Sequence, residues 1–280
     1  MITNTGGNLL LTGFKRVMLF PVATAARAFF YLFFRFSKSS KKISGFKGKF
    51  EGGRCFVIGN GPSLTIDDLN RLKGEVTFAS NRIFDVFDKT DWRPTFYLST
   101  DLDVIFENAE RIRDLETEYK FVNLLSFFKG MRAKNGVVFV FGFGRYLIRK
   151  HKFVKKSHSG DVSKYVSISH TITAVAIEIA VYMGFREIIL LGVDNSYSRT
   201  VDKDGVLRED GAVSDYRVTG EHSFKPAFLV DSTESCYAYF REFSEKNGIK
   251  IRNATRGGKL EVFERTDFDG LFESAGGSRK

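Results

Sequence analysis

Residues 187–194 read EIILLGVD, a glutamate followed by four large aliphatic side chains and then by glycine, valine and aspartate. A short apolar run of this kind is typical of a strand that is buried on both faces. An apolar stretch at about 170–183, long enough for a helix, precedes it. Because parallel strands need a crossover between them, the pair indicates one unit of a parallel α/β sheet.

Similar short runs recur along the chain and alternate with segments of helical spacing. The other predicted strands are 54–59, 75–80, 95–100, 120–125, 136–141 and 249–254, and the other predicted helices follow Thr65 or cover about 103–116 and 231–247. This alternation predicts a mostly parallel sheet with helices on both faces. Residues 195–230 are polar and too long for a plain connection, so we expect a lid there.

The composition of the 280-residue chain, with 43% hydrophobic and 27% charged residues, is that of a globular protein. Its two cysteines, Cys55 and Cys236, are too few for a disulfide framework and fit a reducing compartment. The length allows one large domain or two modest ones. We expect an N-terminal segment at 1–45 and a catalytic domain at 46–280.

The net charge of +10 is concentrated in two blocks of the sequence. Residues 1–50 hold nine lysines and arginines and no acidic residue, and residues 129–164 hold ten basic residues and one acidic residue. A nucleic-acid-binding protein would present one continuous basic face, so no nucleic-acid partner is expected. The two blocks favour an anionic surface or ligand that is met at two places.

Residues 17–34 read VMLFPVATAARAFFYLFF and are interrupted only by Arg27. Because about 20 residues are needed to cross a bilayer, and a central arginine costs about 2.5–3.5 kcal/mol, an amphipathic helix in the interface fits better than a span. The basic run SKSSKK at 37–42 suits anionic headgroups. We therefore expect residues 14–49 to bind an anionic membrane surface; the alternative is a buried core helix with a basic rim.

Small polar residues follow five of the predicted strands. The groups are Gly59-Asn60-Gly61-Pro62-Ser63, Ser80-Asn81, Ser99-Thr100-Asp101, Asp194 and Asn253-Ala254-Thr255. One such group is common in a turn. Ligands of open parallel sheets bind outside the carboxyl ends of the strands, so five groups in one chain predict a polar cleft for a small molecule.

Two turns of the sequence are candidate anion sites. Gly59 and Gly61 would let a phosphate or ribose approach the backbone, although Leu64 stands where a dinucleotide fingerprint has its third glycine. Ser-His-Thr-Ile-Thr at 169–173 opens the apolar helix and could equally be a plain N-cap.

His222 is the candidate general base, because a neutral imidazole takes up a proton near neutral pH. It lies in GEHSF at 220–224, and a lone loop histidine is more often a surface residue. No spacing of His, Cys and Asp resembles a zinc site. Asp101 and Asp194 could hold Mg²⁺ through water or could simply accept hydrogen bonds.

The sequence from about Cys55 to Phe272 resembles the 6-hydroxymethylpterin diphosphokinase MptE-like family. It is also similar to bacterial alpha-2,3-sialyltransferases, which have a Rossmann-like nucleotide-sugar domain. The motifs that carry the resemblance are VIGNGPSL (57–64), ASNRIF (79–84), RPTFYLSTD (93–101), HTITAVAIEIAVYMGFREIILLGVDNSY (170–197), GEHSF (220–224) and NATRGGKLEVFER (253–265). Both resemblances imply a Rossmann-like fold and a nucleotide ligand.

The sialyltransferase resemblance implies transfer of an acidic sugar from a CMP-activated donor to a glycan or lipid-linked acceptor, by direct displacement and without a required metal. Tyr197 would assist the leaving phosphate and His222 would be the general base on the acceptor hydroxyl. The implied donor contacts are Gly59, Asn60, Gly61, Ser63, Asn81, Thr100, Asp101, Thr171, Thr173 and Asp194. The chain departs from the pattern in having Ser-His-Thr-Ile at 169–172 instead of a glycine turn, and one tyrosine instead of two after Asp194.

The MptE-like resemblance implies a different reaction, in which diphosphate passes from ATP to a pterin alcohol with Mg²⁺ near Asp101 and Asp194. The apolar, basic N-terminal segment favours a glycosyltransferase, since a soluble pterin kinase has no use for an anchor. We expect a peripheral enzyme at the cytoplasmic face of the inner membrane, in lipopolysaccharide or capsule biosynthesis. A membrane-attached scaffold that binds nucleotide without chemistry is the third alternative.

Overall fold

The computed structural model describes residues 28–143, 158–167, 171–201, 207–210 and 228–273. The strands are β1 (Arg54–Ile58), β2 (Thr77–Ser80), β3 (Phe96–Ser99), β4 (Tyr119–Asn123), β5 (Val137–Val140), β6 (Gly142–Phe143), β7 (Val166–Ser167), β8 (Glu187–Leu191), β9 (Arg199–Val201), β10 (Leu207–Glu209), β11 (Phe228–Leu229), β12 (Lys250–Asn253) and β13 (Glu264–Arg265). The helices are α1 (28–35), α2 (Lys38–Ser44), α3 (Ile66–Arg71), α4 (Leu102–Glu107), α5 (Ala109–Asp114), α6 (Ile172–Met183), α7 (Val230–Lys246) and α8 (Gly270–Glu273), with 3₁₀ helices at Asn81–Val86 and Leu124–Lys129.

Among the described residues, eight strands form one sheet in the order β13-β12-β8-β1-β2-β3-β4-β5, and every pair in it is parallel. The chain runs outward from β1 to β5 and then returns to the other side of β1 with β8. The direction of winding therefore reverses between β1 and β8. This Rossmann-like α/β fold confirms the predicted fold class and places its switch point at these two strands.

The central strands are buried on both faces, as their continuous apolar runs predict. Every residue of β2, β3 and β5 is buried. Because Phe56 pairs in register with Thr77, Phe56 and Phe78 lie on opposite faces of the sheet. Phe56 stacks on Phe272 of α8, whereas Phe78 contacts Phe185, which follows α6. Packing thus covers both faces of the sheet.

The helix predicted at about 103–116 is broken in two. Asn108 ends α4 and precedes α5 with a φ of −123°, outside the helical region. Its side-chain amide donates to the Val104 carbonyl at 2.9 Å. A side chain that bonds the backbone of the preceding turn competes with the regular helix, which accounts for the break.

Residues N-terminal to the predicted domain boundary at 45/46 belong to the same core. Phe34 and Ile43 are buried, and the Phe34 ring stacks on Phe141. In α2 the Ser39 hydroxyl accepts a hydrogen bond from the Phe139 amide of β5 at 3.0 Å. The folded unit therefore includes residues from Phe34 onward, and the boundary itself stays a prediction.

The predicted membrane-binding segment is described only in part. Residues 17–27 of the apolar run and the basic block at 145–156 lie outside the described residues. The helices of the described ranges include none that is long and apolar enough to cross a bilayer.

Glu178 of α6 holds the segment that precedes this helix. Its two carboxylate oxygens accept hydrogen bonds from the backbone amides of Ser159, at 2.6 Å, and Ser167, at 2.9 Å. Burial raises the pKa of Glu178 from 4.5 to about 7, and the two amides oppose this shift only partly. The folded protein consequently binds the Glu178 proton more tightly than the unfolded chain does.

The proton bound to Glu178 stabilises the folded protein at low pH. The contribution is fully present below about pH 4.5 and is lost as the pH rises through about 7. The free energy of unfolding of E178Q should therefore fall less between pH 5 and pH 8 than that of the unchanged protein. Urea denaturation at the two pH values measures this, with E242Q, at an exposed position of α7, as the control. An equal change in the free energy of unfolding of E178Q and of the unchanged protein between pH 5 and pH 8 would contradict the proton uptake assigned to Glu178.

Candidate functional site

The turns that follow β1 and β8 are in direct contact at the switch point. The Gly59 amide donates to the Leu191 carbonyl at 2.8 Å, and the Gly61 amide donates to the Gly192 carbonyl at 2.9 Å. A Cβ atom on Gly61 would lie 1.8 Å from an oxygen of the Asp194 carboxylate. Both glycines are thus required by packing between the two turns. The predicted contact of their backbone with a phosphate or ribose stays a prediction.

A hydrogen bond joins two of the predicted donor contacts across these turns. The Ser63 hydroxyl donates to the Asp194 carboxylate at 2.7 Å. Asp194 is buried, and burial raises the pKa of its carboxyl group against the lowering effect of Ser63. The Asp194 backbone carbonyl accepts from the Lys259 amide at 2.7 Å, so the loop after β12 also holds this residue. The arrangement places a fixed carboxylate acceptor at the switch point.

The polar residues after β2 continue the same edge of the sheet. The Asn60 side-chain amide donates to the Ser80 carbonyl at 3.0 Å. Asn81 has a φ of +51°, and its side-chain oxygen accepts from the Ser99 hydroxyl at 3.2 Å. The Tyr97 hydroxyl donates to the Asn81 carbonyl at 2.8 Å. These contacts connect the ends of β1, β2 and β3, so the structure brings Asn60 and Asn81 to one edge.

Thr100 and Asp101 lie farther along this edge. The Thr100 carbonyl accepts from the Asn123 side-chain amide at the end of β4, at 3.0 Å. Asp101 is exposed and caps α4, since its carboxylate accepts from the Asp103 amide at 2.9 Å. Asp101 therefore has a structural role as the N-cap of α4.

The fold separates Asp101 from Asp194. Two strands, β1 and β2, lie between β3 and β8, so the ends of those strands are roughly 14 Å apart at about 4.8 Å per strand. Direct Mg²⁺ ligands lie at about 2.0–2.1 Å, so these two carboxylates do not fit one directly coordinated ion. The described ranges contain no group of three or more His, Cys, Asp and Glu side chains that could hold a metal ion. A Mg²⁺ requirement stays a prediction.

Thr171 is the N-cap of α6, at the same edge of the sheet. Its hydroxyl accepts from the Thr173 amide at 3.3 Å and lies 3.3 Å from the Tyr237 hydroxyl. The other end of α6 is next to the start of β1, because the Gly184 carbonyl accepts from the Gly52 amide. The first turn of α6 therefore lies towards the carboxyl ends of the strands. The N-cap expected as one alternative is present, and a donor contact by Thr171 and Thr173 stays a prediction.

Comparison with protein-family models decides the family of this chain. Residues 33–200 match the family described as 6-hydroxymethylpterin diphosphokinase MptE-like. The chain belongs to the MptE-like family. The matched region spans both turns of the switch point and the first turn of α6. Comparison with curated proteins gave no match.

One solved structure is similar to the MptE-like chain at low sequence identity. It is the MAf glycosyltransferase from Magnetospirillum magneticum AMB-1, with 15% identity and a TM-score of 0.48. The alignment covers 83% of this chain and 38% of the other.

Asn195 of the MptE-like chain is a candidate site residue that the motif analysis missed. It follows Asp194 directly, has a φ of +51° and is buried. Among the described residues its side-chain oxygen has no hydrogen-bond partner. A buried acceptor without a donor is costly, and a ligand hydroxyl or amino group would satisfy it. Its position after the carboxylate of a buried strand was the only signal in the sequence.

Of the two catalytic residues implied by the resemblance, Tyr197 lies within the described ranges and His222 does not. Tyr197 is half-buried three residues after Asp194. His222 and most of the predicted lid at 195–230 lie outside the described residues. Within that range β9 pairs with β10 and β11 in a small separate sheet. The roles of Tyr197 and His222 stay predictions.

Proposed function

We propose that this MptE-like protein is a transferase that binds a nucleotide-activated donor at the carboxyl edge of the sheet. The observation that carries the proposal is the Ser63–Asp194 pair at the switch point. A buried carboxylate there suits the paired hydroxyls of a ribose, as acidic residues do in other doubly wound sheets. Membership of a family described as a diphosphokinase also supports a transferase.

The first turn of α6 suits the donor phosphate. α6 has twelve residues and no acidic residue in its first turn, so the positive end of its helix dipole favours an anion. Asn60 and Asn81, already held by the ends of β2 and β3, would contact the nucleotide. Thr100 would lie nearer the transferred group.

The favoured reaction is glycosyl transfer from a CMP-activated acidic sugar. The acceptor hydroxyl oxygen would bond to the anomeric carbon as the bond from that carbon to the phosphate oxygen breaks. His222 would take the hydroxyl proton, and Tyr197 would donate a hydrogen bond to the departing CMP phosphate. The motifs that resemble those of bacterial sialyltransferases support this donor. The basic, apolar N-terminal residues support a lipid-linked or surface glycan as the acceptor and a position at the cytoplasmic face of the inner membrane.

The family description favours a second candidate function. In it the same cleft would bind ATP with Mg²⁺ and pass diphosphate to a 6-hydroxymethylpterin. The separation of Asp101 from Asp194 means that this pair would not ligate one Mg²⁺ directly, so the reaction would need other direct ligands or contacts through water. A scaffold that binds nucleotide without turnover is the third candidate.

A thermal-shift panel tests these candidates. The melting temperature would be measured with CMP, UDP, GDP, ADP and ATP, each with and without Mg²⁺, because a ligand of the native state raises it by mass action. We expect stabilisation by CMP that does not depend on Mg²⁺. Stabilisation by ATP only with Mg²⁺ would replace the glycosyltransferase with the diphosphokinase. No shift with any nucleotide would contradict the proposed nucleotide site.

A further inference from the structure

Helix α1 has two apolar faces. Its inner face contributes Phe30, Tyr31 and Phe34 to the domain, and Phe34 is fully buried. Its outer positions, together with Phe36 directly after its end, follow the i, i+3, i+4 and i+7 spacing of a single helix face. They are Phe29, Leu32, Phe33 and Phe36, which are 65%, 56%, 60% and 89% exposed. A helix on the surface of a domain ordinarily carries polar residues on this outer face.

The 3₁₀ helix Leu124–Lys129 extends the exposed apolar face of α1. Phe128 is 66% exposed, and its ring centroid lies 6.0 Å from that of Phe30. The Phe30 ring lies in turn 5.8 Å from the ring of Phe29 on the outer face. Phe127 is 48% exposed and lies 6.1 Å from Phe128. Two elements that are far apart in sequence therefore present one surface, which we call the aromatic surface. It consists of Phe29, Leu32, Phe33, Phe36, Phe127 and Phe128.

Basic side chains border the aromatic surface. The Arg132 guanidinium lies 4.6 Å from the Phe127 ring centroid, and the Lys129 ammonium lies beside Phe106. Exposed lysines of α2 follow α1 directly. Neither residues 28–50 nor residues 119–143 contain an acidic residue. Aromatic side chains with a basic border suit the interface of an anionic bilayer.

The aromatic surface lies at the edge of the sheet that carries the candidate site. Its 3₁₀ helix begins directly after the carboxyl end of β4, whereas Ser63 and Asp194 follow β1 and β8 at the same edge. We propose that the aromatic surface docks on an anionic phospholipid bilayer and so brings the cleft to acceptors held in the membrane. The choice of acceptor rests on the proposed function; the docking does not.

A second copy of this chain is a poorer occupant for the aromatic surface. A symmetric contact would bring the same basic border against itself. Like charges placed together oppose association, whereas anionic headgroups would neutralise them. The charge of the surface therefore favours lipid over a homodimer.

Vesicle co-sedimentation of the full-length protein tests the docking. The vesicles would be phosphatidylcholine alone or phosphatidylcholine with phosphatidylglycerol. For F127S/F128S we expect about a tenfold or larger loss of partitioning onto the anionic vesicles, because two half-exposed rings no longer enter the interface. The matched control is L207S, which replaces a 46% exposed leucine of β10 and should bind as the unchanged protein does.

The outcomes separate docking from its alternatives. Unchanged partitioning of F127S/F128S would overturn the proposal. If the double variant instead changed the oligomeric state measured by sedimentation velocity, the surface would be a contact between two copies of the chain, and the proposal would be overturned in the same way. An equal loss for L207S would also overturn it. If the double variant has a lowered melting temperature, the partitioning of the single variant F128S onto the anionic vesicles decides between these outcomes. The CMP thermal shift needs no vesicles, so failure of the nucleotide site and failure of docking are distinguishable.

Discussion

A Gly61→Ala variant is expected to lose about 3 kcal/mol or more of its free energy of unfolding and to lose nucleotide binding with it. A Cβ atom at this position would lie 1.8 Å from the Asp194 carboxylate and 2.8 Å from the Gly192 carbonyl. Neither partner is the free end of a flexible side chain, since Asp194 is buried and bonded to Ser63. The turns after β1 and β8 would have to separate. Overpacking typically costs about 1–3 kcal/mol and occasionally more, and an approach of 1.8 Å belongs at the upper end of that range.

Denaturant unfolding of the variant and of a matched control measures this effect. The control is Gly45→Ala, since Gly45 has a φ of −70° and its added Cβ would lie 3.4 Å from the nearest atom. We expect the control to stay within about 1 kcal/mol of the unchanged protein. Equal stability of the two variants would show that the close contact at the switch point is absent.

An Asp194→Asn variant is expected to fold normally and to bind the stabilising nucleotide roughly 10- to 100-fold more weakly. The asparagine oxygen can still accept from Ser63, so the turn keeps its hydrogen bond. The variant lacks the charged acceptor for the ribose, and hydrogen bonds to charged groups contribute about 1.5–3 kcal/mol. The dependence of the melting temperature on CMP concentration measures the change in affinity.

Two further variants serve as comparisons for Asp194→Asn. Asp67→Asn makes the same substitution at an exposed position of α3 and should leave the CMP response unchanged. His222→Ala should retain the CMP response and remove most of the turnover, because a general base acts on the acceptor and not on the donor. An unaltered response of Asp194→Asn would contradict the assignment of the carboxylate to the donor.

The elements of the fold are encoded locally. Runs such as IILL at 188–191 are apolar at every position, and such a run has few ways to be stable other than as a strand buried on both faces. The capping box of Thr65 and Asp68 likewise lies within one turn of chain. These features depend on neighbours in sequence, so the parallel sheet and its helices could be predicted. The break in the helix at Asn108 was the exception, because a hydrogen bond from its side chain to the backbone leaves no mark in the pattern of apolar residues.

The relations between those elements depend on contacts between distant residues. Ser63 and Asp194 are 131 positions apart, and no local pattern indicates that one donates to the other. The same holds for the Phe30–Phe128 contact that unites the aromatic surface. Composition and periodicity thus determined which residues form strands, helices and polar strand ends. The strand order determined that Asp194 meets Ser63 and Gly61 while two strands separate it from Asp101, because hydrogen bonding between strands sets which ends become neighbours.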